Sequence, residues 1–64
     1  MSIKKYSPPR GRYVHKTRLE ALVGAIEIDT LKEDQMIVHI EINLDVTGNI
    51  ITILYVCTLF KKNN

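Results

Sequence analysis

Ile37–Phe60 reads IVHIEINLDVTGNIITILYVCTLF, and this stretch decides the fold. Val38, Ile40, Ile42 and Leu44 alternate with His39, Glu41 and Asn43. A period of two sends the apolar set to one face of a strand and the polar set to the other. Ile50 to Phe60 is rich in β-branched and aromatic residues, which suit a pleated surface. Val46-Thr47-Gly48-Asn49 lies between the two runs, and Gly and Asn both accept the positive φ of a tight loop. The spacing predicts an antiparallel hairpin of residues 36–45 and 50–60. Matching apolar to apolar sets Leu44 opposite Ile51, Ile42 opposite Ile53, Ile40 opposite Tyr55 and Val38 opposite Cys57. The back of the second strand carries Ile50, Leu54 and Val56, so it is apolar on both faces and belongs inside a sheet.

Working outward, residues 22–29 end in Ala25-Ile26-Glu27-Ile28-Asp29, which alternates. That segment is expected to be a third strand, and Gly24 argues against a helix there. The competing reading is a helix over 18–28. Leu19, Leu22, Val23 and Ile26 would form one face of it, and Thr17 and Glu20 a capping box. The expected class is therefore all-β, a small antiparallel meander with strands at about 22–29, 36–45 and 50–60. The alternative is α+β.

Residues 1–17 contain Ser7-Pro8-Pro9-Arg10-Gly11-Arg12 and little to bury, so they are expected to be a disordered, dispensable basic tail. Residues 18–64 then form one small β domain or a fragment of a β-sandwich. Charge follows the same division. Residues 1–18 carry +6 through Lys4, Lys5, Arg10, Arg12, Lys16 and Arg18; the remainder carries three lysines against seven acids, or −4. Interleaved with Tyr6 and Tyr13, these six cations are the candidate nucleic-acid contacts.

Sixty-four residues allow one domain. A chain this short buries only about 60% of its unfolded surface. The single cysteine, Cys57, closes no internal disulfide and reads as a small buried hydrophobe. His39 and Glu41 alternate on a polar strand face, where a metal would need a third ligand, so no metal or other cofactor is expected. No Gly-rich phosphate loop or nucleophile–base set is present, and the chain is expected not to be an enzyme. Ile50–Phe60, closed by Lys61-Lys62, is too short for a helical membrane span of about 20 residues. The polar start followed by Pro8-Pro9 lacks the apolar run of a signal peptide, so a cytoplasmic location is expected. Three strands cannot cover both faces of 50–60. Self-association through Ile50, Leu54, Val56 and Phe60 is expected.

Leu22-Val23-Gly24-Ala25-Ile26-Glu27-Ile28 resembles the L-L-G-x-F-E-L strand of the seventy-kilodalton heat-shock (DnaK-like) chaperones. Ile40-Glu41-Ile42-Asn43-Leu44-Asp45-Val46 resembles their I-E-V-T-F-D-I strand, and Gly48-Asn49 then Ile50-Ile51-Thr52-Ile53 follow as their turn and next strand do. The likeness covers residues 22–54. It departs at 31–35, where the family's proline-rich loop is replaced by LKEDQ, and at the turn, where Gly48 precedes Asn49 instead of following it. The resemblance implies a truncated peptide-binding β-sandwich subdomain, a stress-response role and a hydrophobic peptide or protein as partner. It also implies that Ile40 lines the pocket for an apolar peptide side chain. The functional expectation is a non-enzymatic interaction module; the alternative is a small nucleic-acid-binding protein that uses its basic tail.

Overall fold

The computed structural model describes residues 1–60, so Lys61 and Lys62 at the end of the last strand lie outside the described residues. The chain runs through β1 (Ser2–Tyr6), a 3-10 turn (Lys16–Arg18), α1 (Leu19–Lys32), β2 (Gln35–Leu44) and β3 (Ile50–Leu59). The strands form one antiparallel sheet in the order β1-β3-β2. The strand that is apolar on both faces is therefore the central one. The class is α+β, which corrects the all-β expectation.

The third strand is not residues 22–29. It is β1, in the segment expected to be a disordered tail. Ser2, Ile3, Lys4, Lys5 and Tyr6 pair with Cys57, Val56, Tyr55, Leu54 and Ile53 in turn. With both edges of β3 occupied, residues 19–32 are free to cover a face instead of extending the sheet. A helix laid across the sheet covers side chains from several strands, which another strand at the edge would not do. Leu19, Leu22 and Ile26 face the sheet at helical spacing, Thr30 is buried one turn further on, and Ile28 is left outside. A Cβ at Gly24 would meet nothing within 4 Å, so no close packing requires the glycine, and its cost of about 1 kcal/mol in a helix is an entropic one that packing offsets. The Thr17–Glu20 capping box does not form. Thr17 N–H instead donates to His15 Nδ1 at 3.3 Å in the 3-10 turn, and the Arg18 side chain makes no capping bond at the start of α1.

The hairpin is present, and its middle has the expected register, Ile42 opposite Ile53 and Ile40 opposite Tyr55. Both ends are displaced by a bulge. Leu44 meets Ile50 rather than Ile51, and Ile37 rather than Val38 meets Cys57. Each skipped residue, Val38 at 50% and Ile51 at 52%, is half-exposed. The bulge at Ile51 also brings Ile50 into the core, away from the back face on which strict alternation had placed it. The core is Ile26, Ile50 and Ile53, ringed by Tyr6, Val14, Leu19, Leu22, Ile37, Ile40, Ile42 and Tyr55.

The hairpin loop is held by Asp45. Its Oδ1 accepts from Thr47 N–H at 3.0 Å, Thr47 Oγ1 at 2.7 Å and Asn49 N–H at 2.8 Å. Those donors, the Thr47 hydroxyl foremost, hold the carboxyl below its ordinary range. The segment before α1 is stitched to the same loop. Lys16 N–H donates to Gly48 O at 2.8 Å and Ile50 N–H to Val14 O at 2.7 Å. Gly48 has φ +86°, and a Cβ there would stand 3.0 Å from His15 Nε2. Gly48→Ala is expected to destabilise the fold by about 1–2 kcal/mol, from the left-handed backbone alone. Urea denaturation measures it; an unchanged midpoint would mean that the loop adopts another conformation.

Candidate functional site

A groove of about 350 Å³ runs between α1 and β2. Spacing by four on α1 places Val23, Glu27 and Leu31 along one side, with Thr30 beside them. Met36, Ile37 and Ile40 of β2 form the other side, and Phe60 closes one end. Phe60 is held there by its backbone N–H, which donates to Asp34 O at 3.1 Å. Asp34 has φ +57° and makes the turn from α1 into β2. The Thr30 hydroxyl donates back to Glu27 O at 2.8 Å, so the one buried polar side chain in the groove is satisfied within the helix. Glu27 is exposed and supplies the only charge among the described residues that line the groove. β2 pairs with β3 on one side only, so the outer edge of the sheet lies beside this groove.

Ile40, the residue that the chaperone resemblance implies for peptide binding, lines the groove and packs against the core. Its neighbours there differ from those of a β-sandwich, because Leu22–Ile28, matched to a chaperone strand, lies in α1. Val23 and Leu31 were not legible as site residues, and Phe60 was expected on a self-association face with Ile50, Leu54 and Val56 rather than in this groove. The period-four set at 23, 27 and 31 is the signal that could have found two of them.

The six basic residues do not form one tail. Lys4 faces the helix side and forms an ion pair with Glu33 at the end of α1; this hydrogen bond holds its ammonium above the ordinary range, against partial desolvation. Lys5 points to the opposite, open face of the sheet, in register with Leu54. Arg10 and Arg12 line a shallow hollow of about 270 Å³ with Tyr13, Asp45 and Asn49, and Lys16 lies over Gly48 at the same end. Arg18 is exposed at the start of α1.

His39 and Glu41 are exposed, and no group of three His, Cys, Asp or Glu side chains is placed to hold a metal among the described residues. Among the same residues no helix is long and apolar enough to cross a membrane. No family model matches the chain, and no curated protein or solved structure matches it.

Proposed function

We propose that this chain is a non-enzymatic, cytoplasmic protein-interaction module that captures an extended segment of a partner along the outer edge of β2. The observation that carries this is the apolar groove beside that edge. An incoming strand finds unpaired backbone groups on β2, and alternate side chains fall toward the groove. The groove suits a branched aliphatic or aromatic residue. Glu27 on its rim favours a basic neighbour in the partner. Ile40 and Leu31 would hold the apolar anchor from opposite sides. The bulge at Val38 confines regular pairing to the stretch from His39 to Asn43.

Heptapeptides selected from a random display library against the folded chain test this reading. The selected sequences are expected to carry one large apolar residue next to Lys or Arg. Amide shifts on binding are expected at 36–43 and 23–31. Leu31→Lys, a change at an exposed position, is expected to weaken binding at least about tenfold, the equivalent of ~1.4 kcal/mol. Selected peptides that map elsewhere, or that bind Leu31→Lys equally well, would overturn the reading.

The gathering of Arg10, Arg12, Lys16 and exposed Tyr13 at the hairpin-loop end favours a second reading, a single-stranded nucleic-acid contact. Salt separates the two: phosphate contacts weaken steeply between low and physiological salt, and apolar capture does not.

A further inference from the structure

Helix α1 covers one face of the sheet and leaves the other open. Residues directly opposite in the ladder share a face, and two rows of three define the open one. Lys5, Leu54 and Glu41 form one row, and Ile3, Val56 and His39 the next. Ile3 is 76% exposed, and Leu54 and Val56 remain half-buried with no element among the described residues above them. The centre is aliphatic, while a cation stands on one flank and an anion on the other. A nucleic acid would find no excess of positive charge on these two rows and no aromatic ring to stack on.

We infer that the occupant of this face is a second copy of the chain, related by a two-fold axis parallel to β3. Such an axis lays β1 of one copy over β2 of the other. Leu54 then meets Leu54 and Val56 meets Val56 on the axis, and Lys5 of each copy stands over Glu41 of the other. A two-fold axis running across the strands would lay β1 over β1 and bring no such pairing. Two sheets packed face to face lie about 10 Å apart, within the combined reach of a lysine and a glutamate side chain. Within one chain Lys5 and Glu41 are two strand spacings apart, roughly 9.6 Å, with Leu54 between them. The arrangement is isologous and closes at two copies. Three short strands give a footprint well below the ~800 Å² per partner of a standard interface, so the dimer is concentration-dependent. This surface is the reverse of the α1–β2 groove, and the inference does not rest on peptide capture there.

Sedimentation equilibrium of the full chain tests it. The weight-average mass is expected to rise toward two chains between about 1 µM and 1 mM, the range of weak interfaces. Lys5→Glu alone and Glu41→Lys alone each set like charges against each other across the axis and are expected to weaken association at least tenfold. The double swap is expected to restore it. Circular dichroism confirms that each variant is folded. A mixture of ¹⁴N and ¹⁵N chains treated with a carbodiimide is expected to yield a mixed-isotope amide between Lys5 and Glu41, the water being taken up by the reagent. A folded wild-type monomer throughout this range, single swaps that associate as the wild type does, or a double swap that stays weak would each overturn the dimer.

Discussion

Ile53→Ala is expected to leave the chain largely unfolded. Ile53 is fully buried, at 0% exposure, and sits on the central strand with Tyr6 opposite on β1 and Ile42 opposite on β2. Ile26 of α1 completes its surroundings. Truncating a buried isoleucine costs about 2–5 kcal/mol, the transfer term plus the cavity left behind. A domain of this size has roughly 3–5 kcal/mol in total, with no disulfide to supplement it. The single cavity therefore removes most or all of the stability. Urea denaturation followed by circular dichroism reads the effect. Ile51→Ala is the control. Ile51 is the residue skipped by the bulge and is half-exposed, so its loss should move the midpoint little. Equal effects at the two positions would mean that the bulge is absent and that strict alternation runs to the loop.

Removing residues 1–6 is expected to have a comparable effect and to produce aggregation as well. The sequence alone suggested the reverse, a dispensable tail. β1 occupies one entire edge of β3, Tyr6 packs on the core, and Lys4 ties the strand to Glu33 at the far end of α1. Deletion would strip that edge and expose a row of unpaired N–H and C=O groups beside apolar side chains, a template for pairing with other chains. Only two strands and a helix would remain, and a two-stranded hairpin is marginal in water. Size-exclusion chromatography and circular dichroism of the shortened chain check this. Ile3→Thr keeps the strand and alters only an exposed side chain, so it should keep the fold. A shortened chain that stays folded would show that β1 is an ornament on a self-sufficient α1–hairpin unit.

The hairpin was legible because its signals are local. Alternation over residues 38–44, a Gly–Asn loop and a β-branched return strand fix an antiparallel pair, and only one register sets Ile42 against Ile53 and Ile40 against Tyr55. The location of β3 inside the sheet was legible as well, since a strand apolar on both faces cannot stand at an edge. Which segment fills its second edge was a competition that no local pattern decides. Leu22–Asp29 alternates at its end and contains a glycine, so it looks like the better strand. SIKKY is short and charged, which is how proteins build edge strands that resist further pairing. Tertiary structure chose SIKKY because that leaves residues 19–32 to cover the apolar face as a helix, burying Ile26 against Ile53. The bulges at Val38 and Ile51 were invisible for a related reason. They adjust strand ends to the helix and the loop, and Ile50 turns inward only because there is a core to receive it. Of the groove, Ile40 could be named from the sequence. Val23, Leu31 and Phe60 became its other walls only when α1 was laid beside β2, because residues far apart in the chain become neighbours through packing and not through spacing.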